Sequence, residues 1–301
     1  MWTIKDMPEQ TGKTVVITGA NSGIGYEMAL AFYKAGAEVI VASRDAVKAE
    51  QAIKEMRSLG GDGLLQYIPL DLANLSQIEE FAAAFAAKYT RLDILINNAG
   101  VMTPPQSKTA DGYELQFGVN FLAHFKLTGL LYPMLKRSNA ARVVTQSSGA
   151  YRNAGAIDYE NLRIEKFYDA DQAYAISKLA DLQFAIELQR RLDDTADPII
   201  SLAAHPGVTQ TSLSRFMSKD QLDAAIKKFG ELMPAWQGAL PALFAATAQE
   251  VTKGGYYGPD GENELQGYPA PAFITDDAAN ASSATILWNF AQNETGISFP
   301  L

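Results

Sequence analysis

Thr14-Val15-Val16-Ile17-Thr18-Gly19-Ala20-Asn21-Ser22-Gly23-Ile24-Gly25 is the stretch that decides the fold. Its first five residues, Thr14 to Thr18, are a β-branched run that reads as a buried strand. The run breaks at Gly19, and a helical pattern follows from about Ile24 to Ala35. Such a turn is built to cradle phosphate. Gly19 permits the tight bend, while Gly23 and Gly25 let backbone approach a ligand and let helix pack on sheet. The helix N-terminus offers free N–H groups and a positive dipole to a pyrophosphate. Gly19, Asn21, Ser22, Gly23, Ile24 and Gly25 are therefore candidate cofactor-binding residues. A plain strand–turn–helix corner fits the same letters, since the chain holds 23 glycines, so the rest of the chain must decide.

Outward from this turn the chain alternates strand and helix. Strands are expected at Glu38–Ala42, Leu64–Leu70, Asp93–Ile96, Arg142–Gln146 and Ile199–Ala203. Helices are expected at Asp45–Leu59, Asn74–Tyr89, mostly across Gly112–Arg137, and at Asp171–Asp194, with Asp45 and Asn74 as N-caps. Strands separated by helices of this length pair in parallel through right-handed crossovers. The reading is an α/β protein: a single-domain doubly wound parallel sheet, a Rossmann fold, with helices on both faces. One domain spans 1–301, with a cofactor half at about 13–150 and the catalytic helix, substrate lid and C-terminal region in 151–301. Beyond Thr209 helices are expected near Ser218–Phe229 and Pro234–Glu250, then a Gly/Tyr/Pro-rich stretch near 254–271.

Composition narrows the function. The chain has 301 residues, 25 Lys+Arg against 34 Asp+Glu, a net charge of −9 and no cysteine. Without cysteine there is no disulfide framework, thiolate metal site or cysteine nucleophile. With only His124 and His205, no histidine-rich metal site is expected. The acidic balance argues against nucleic acid or an anionic membrane as partner. There is no signal-peptide pattern, and no apolar stretch nears the ~20 residues of a membrane helix. A cytoplasmic location without membrane attachment is expected.

The glycine spacing T-G-x-x-x-G-x-G resembles the short-chain dehydrogenase/reductase family, and later motifs agree in order. Asn97-Asn98-Ala99-Gly100 follows the fourth strand as N-N-A-G, Ser147-Ser148 closes the fifth, and Tyr174-Ala175-Ile176-Ser177-Lys178 matches Y-x-x-x-K. Asn120 lies on the preceding helix, where the family's catalytic tetrad has an asparagine. Pro206-Gly207-Val208-Thr209-Gln210-Thr211 resembles P-G-x-x-x-T. The resemblance runs from about Lys13 to Thr211.

Tyr174 and Lys178 are four apart on a helix and share a face. An ammonium beside a phenol favours the phenolate, which suits a general acid/base near neutral pH. Tyr174 would protonate a carbonyl oxygen in reduction or take an alcohol proton in oxidation. Ser148 would hydrogen-bond the substrate oxygen. The resemblance implies that Lys178 also holds the nicotinamide ribose and that Asn120 supports a water-linked proton relay. The catalytic set is Asn120, Ser148, Tyr174 and Lys178.

For the cofactor, NADP(H) is preferred, with NAD(H) possible. By resemblance, the acidic position of NAD-preferring members falls on Ser43, which is neutral and followed by Arg44, a cation able to pair with a 2′-phosphate. The resemblance also assigns Asp71 and Leu72 to adenine, Asn98, Ala99 and Gly100 to the adenosine and ribose side, and Pro206, Gly207, Val208, Thr209 and Thr211 to the cofactor. His205 and His124 read as structural or packing residues. The stripe Leu179, Leu182, Phe184, Ala185, Leu188 reads as core or subunit interface.

Ser148 and Tyr174 are 26 positions apart, wider than in compact family members. The extra segment, Ala150 to Asp171, carries Tyr151, Tyr159, Phe167 and Tyr168. With Gly255-Tyr256-Tyr257-Gly258-Pro259-Asp260-Gly261 it resembles the retinol-dehydrogenase and protochlorophyllide-reductase branch. The insert's aromatics would wall an apolar pocket or cover the sheet edge. Thr209–Gly230, with Leu213, Phe216 and Met217, occupies the place of the family's lid. The resemblance implies carbonyl–alcohol interconversion on a small hydrophobic substrate. The alternatives are C=C reduction and a catalytically silent NADP-binding regulator. The helices near 112–137 and 171–194 resemble those that form dimer bundles in the family, so a homodimer or homotetramer is expected.

Overall fold

The structure, a computed structural model, describes residues 1–300 apart from 217–219, 221–222, 224–226 and 228–229. Its strands are β1 (Thr14–Thr18), β2 (Glu38–Ser43), β3 (Leu64–Pro69), β4 (Ile94–Asn97), β5 (Ala141–Gln146), β6 (Ile199–Ala204), β7 (Tyr256–Pro259) and β8 (Pro269–Pro271). They form one sheet in the order β3-β2-β1-β4-β5-β6-β7-β8. Every pair is parallel except the last, where β8 runs antiparallel to β7. The helices are α1 (Gly23–Lys34), α2 (Ala46–Ser58), α3 (Leu75–Ala86), α4 (Ala123–Leu135), α5 (Ala170–Leu192), α6 (Ala235–Gly238), α7 (Leu240–Thr247) and α8 (Ala281–Thr295). This is the expected doubly wound α/β domain.

Both faces of the sheet are covered, which is why its inner strands read as unbroken apolar runs. Along β1, Val16 points into the core shared with α3, α4, α5 and α8. Val15 and Ile17 point into the core shared with α1, α2 and α7. The strand order reverses direction between β1 and β4, so the crevice of the fold opens at the carboxyl ends of these strands. Asp45 caps α2 by accepting from Lys48 N at 3.1 Å, and Asn74 caps α3 by accepting from Ser76 N at 3.0 Å, both as expected.

Three parts differ from expectation. The segment 112–137 turns helical only at Leu115, and a π-helical turn, Phe117–Leu122, then leads into α4. Gly112 sits at φ +87°, outside helical space, and the Glu114 carboxylate accepts from Phe117 N at 2.7 Å, capping a helix that starts at Leu115. The helix expected over Pro234–Glu250 is two, α6 and α7. The one expected at Ser218–Phe229 falls largely outside the described residues, as does Met217. The Gly/Tyr/Pro-rich stretch supplies β7 and β8, and α8 closes the molecule. Trp288 of α8 and Phe299 after it pack on Phe125 and Phe184, with ring centroids 5.1–6.4 Å apart, and on each other at 4.7 Å. The stripe from Leu179 to Leu188 is thus core of this same chain. Among the described residues no helix is long and apolar enough to cross a membrane, and no cluster of His, Cys, Asp or Glu could hold a metal ion.

Candidate active site

The turn after β1 is shaped by close contacts. Gly19 has φ +69° and Gly23 φ +55°. A methyl group on Gly25 would stand 2.4 Å from the Gly19 carbonyl oxygen and 2.6 Å from Asn98 Nδ2. Asn98 ties this turn to the end of β4: its Nδ2 donates to the Thr18 carbonyl at 2.8 Å. Asn98 N and Ala99 N both donate to Thr18 Oγ1 at 2.9 Å.

His124 completes that clamp. Its Nδ1 lies 2.6 Å from the Asn120 carbonyl and its Nε2 2.9 Å from Thr18 Oγ1. A carbonyl only accepts, so Nδ1 carries the proton and Thr18 donates to Nε2. Burial pulls the imidazole down to about 4, which keeps it neutral. The expectation of a packing role holds, with the added duty of joining β1, the β4 loop and the helix start.

A cleft of about 830 Å³, partly open to solvent, lies over these strand ends. Gly19, Asn21, Ser22, Gly23, Ile24, Gly25, Asn98, Ala99, Gly100, Tyr174, Lys178, Pro206 and Thr211 line it, all singled out from the sequence. Leu213, named with the lid segment, and Ser147, quoted beside Ser148, also line it, as do Gln146 and Arg215, which were not singled out.

Tyr174 and Lys178 are both buried, not a surface pair. Lys178 Nζ lies 5.9 Å from the centre of the Tyr174 ring. It donates to the Gln146 carbonyl at 2.9 Å and to Asp181 Oδ2 at 2.8 Å. Asp181, absent from the candidate set, is 1% exposed. The hidden signal was spacing: 174, 178 and 181 form one helical stripe.

The other candidates sit at the margin. Asn120 is fully buried. Its Oδ1 accepts from Val101 N at 2.8 Å, and its Nδ2 donates to the Val101 carbonyl at 3.0 Å and to Ser177 Oγ at 2.9 Å. A methyl on Gly100 would lie 3.2 Å from Asn120 Oδ1 and 3.8 Å from Lys178 Nζ, so the two side chains flank Gly100. Ser148 lies two residues beyond β5, half-buried, with Oγ accepting from Ala150 N at 3.2 Å. Asp71 accepts from Ala73 N at 3.0 Å and Leu72 is buried in the core. Gly207 (φ +66°), Val208 and Thr209 shape the turn after β6: Val208 N donates to the Leu265 carbonyl at 2.8 Å and Thr209 Oγ1 to the Pro206 carbonyl at 2.9 Å. His205 is buried away from the lining, with Nε2 3.0 Å from Glu264 Oε2. Burial works against that carboxylate, but hydrogen bonds from His205 and Phe273 N and the charge of Arg152 hold it at about 2.

The insert divides its aromatics. Tyr151 is buried and donates to the Phe273 carbonyl at 2.8 Å, and Tyr159 packs on Phe290 at 5.1 Å. Phe167 and Tyr168 line a second cavity of about 610 Å³ with Gln172, Ala173 and Ile176. Tyr174 and Lys178 line the main cleft, so α5 separates the two spaces.

These features fit a nicotinamide dinucleotide. α1 has no side-chain cap, whereas α2, α3, α5 and α8 are each capped by Asp or Asn, so its first-turn N–H groups face the cleft free for a pyrophosphate. Ser43 is buried and Arg44, at the end of β2, is exposed. Burial and the nearby charge of Arg44 hold the Arg215 guanidinium below its ordinary value, so two cations converge on this side.

Comparison with known proteins agrees. The family model described as short chain dehydrogenase matches residues 13–222. Retinol dehydrogenase 14 of Mus musculus is 37% identical over 301 residues, covering 95% of this chain and 86% of the relative. Retinol dehydrogenase 12 of Homo sapiens is 40% identical over 289 residues, covering 95% and 87%. Among solved structures, an uncharacterised protein from Mycobacterium Paratuberculosis superposes with a TM-score of 0.83 at 38% identity, covering 100% of this chain and 99% of that one. The Pseudomonas aeruginosa RhlG/NADP active-site complex gives a TM-score of 0.65 at 27% identity, covering 82% and 94%.

Proposed function

The chain belongs to the short-chain dehydrogenase family and is an oxidoreductase, and from that premise we propose that it interconverts a carbonyl and an alcohol on a hydrophobic substrate with NADP(H). The observation that carries the reading is the presence of Tyr174 and Lys178 in the same cleft as the uncapped N-terminus of α1.

Each residue has a task. The first turn of α1 binds the pyrophosphate through backbone N–H groups. Arg44 takes the 2′-phosphate, which a neutral Ser43 does not repel. A nicotinamide held in this cleft would supply hydride to the carbonyl carbon, or accept it in the reverse direction. Tyr174 delivers the proton to the carbonyl oxygen, and Ser148 donates a hydrogen bond to that oxygen as charge develops on it. Lys178 keeps a positive charge beside Tyr174: against the cost of burial, Asp181 holds its ammonium above its ordinary range.

The substrate class follows from kinship and lining. The relatives named retinol dehydrogenases span nearly the whole chain, and Leu213 adds an apolar wall to the cleft. An NADPH-oxidation screen over aldehydes, quinones, steroids and retinoids tests the proposal. Turnover with apolar carbonyls is expected. Tight NADPH binding without turnover on any of them would instead favour a silent cofactor-binding protein.

A further inference from the structure

We propose that Asp181 is a positioning residue that anchors the Lys178 ammonium at the floor of the cleft, offsets its charge, and so sets the pH at which proton transfer through Tyr174 switches on. The inference rests on Tyr174 being the proton carrier, as proposed above.

The geometry begins with the ammonium's three N–H donors. One goes to the Gln146 carbonyl at 2.9 Å and one to Asp181 Oδ2 at 2.8 Å. One is left for the cleft. Two fixed partners lock the end of a side chain with four rotatable bonds. The backbone beneath is fixed as well, because Ser147 Oγ donates to the Lys178 carbonyl at 2.7 Å.

Asp181 has no second task among the described residues. Its Oδ2 serves Lys178, and its Oδ1 is buried without a hydrogen-bond partner. A buried carboxylate is tolerated when a cation pairs with it. Burial pushes the Asp181 carboxyl up to about 7, against the pull of Lys178. Burial alone would lower the Lys178 ammonium, but the charges of Asp181 and Tyr174 hold it above its ordinary range.

The surrounding elements supply no other compensating charge among the described residues. From α4, His124 couples to Lys178 and is neutral, its imidazole pulled down to about 4 by burial. From β5, Gln146 and Ser147 are uncharged. From β7, Tyr256 beside Ser147 is pushed well above the ordinary tyrosine range by burial and stays protonated. Asn120 and the Asn98–Gly100 loop carry no charge. The field that Lys178 projects on Tyr174 is therefore cut chiefly by Asp181. A shift of one pH unit corresponds to a tenfold change in the proton-transfer equilibrium.

The test titrates the cofactor-free enzyme by tyrosinate absorbance. The step lost in Tyr174→Phe is the step of Tyr174. In Asp181→Asn, with the neutral side chain no longer offsetting Lys178, that step should move to lower pH by about one unit. If Asp181→Asn does not fold, Asp181→Ser, which is smaller and also uncharged, is read the same way. A step that stays in place in a folded neutral variant overturns the proposal. If instead Tyr174→Phe removes no step and leaves turnover intact, the reading of Tyr174 fails first. A step that Tyr174→Phe removes and that Asp181→Asn does not move sinks the Asp181 proposal alone.

Discussion

Gly25→Ala is the substitution whose cost can be worked from contacts. Gly25 lies in the first turn of α1, and its φ is not positive, so the backbone itself accepts alanine. Helix propensity alone would favour alanine by about 1 kcal/mol. The new methyl, however, stands 2.4 Å from the Gly19 carbonyl oxygen, about 1 Å inside ordinary contact, and 2.6 Å from Asn98 Nδ2. Neither neighbour is a flexible tip. Gly19 N donates to the Ala42 carbonyl at 2.8 Å, and Asn98 is held twice by Thr18. Overpacking of this kind costs about 1–3 kcal/mol. The relaxation that relieves it moves the α1 N-terminus away from the β4 loop, and cofactor binding must reverse that movement. The expected result is a rise in the NADPH Kd of about 5- to 150-fold. NADPH fluorescence titration of the folded variant measures this, with thermal unfolding alongside. Gly149→Ala is the control, because a methyl there meets nothing within 4 Å. If Gly25→Ala binds NADPH as tightly as the parent, the pyrophosphate does not sit on this turn.

Two further expectations concern charge. Arg44→Asp should weaken NADPH binding by about tenfold and raise affinity for NADH, measured by paired titrations; unchanged NADPH affinity would assign the 2′-phosphate to another residue. His124 titrates near 4 when folded against 6.5 when unfolded, so the unfolded chain takes the proton first. Its contribution is present above about 6.5 and is lost as pH falls toward 4, a loss of about 3 kcal/mol by linkage. Denaturant midpoints at several pH values should show a shallower acid slope in His124→Gln. An identical slope would contradict the neutral, buried imidazole.

What was legible in the sequence followed from short-range rules. The turn after β1 needs glycine where backbone atoms meet at close range, and Y-x-x-x-K puts two side chains on one helix face. Both are visible over a handful of residues. The strands β7 and β8 were not, because their Gly, Tyr and Pro residues read as turn rather than as a β-branched run. Nor was the cover that α8 places over Phe125 and Phe184, since it joins segments more than a hundred residues apart. Asp181 escaped because its stripe was read for apolar residues, and a buried acid makes sense only once Lys178 stands beside it. Gln146 and Ser147 reach the cleft from the end of β5 and Arg215 from the segment after β6, placements that composition does not encode. Conversely, Gly207, Val208 and Thr209 carry the motif but serve mainly to fold the turn that brings Pro206 and Thr211 to the lining.

The central claim, that Tyr174 carries the proton, is tested most directly by turnover of Tyr174→Phe with NADPH at saturation and an apolar carbonyl that the parent reduces. Removing the phenol takes away the proton donor and leaves the α1 turn and Arg44 untouched. The account predicts a loss of turnover of at least about 10² with NADPH affinity preserved. Turnover equal to the parent would contradict it.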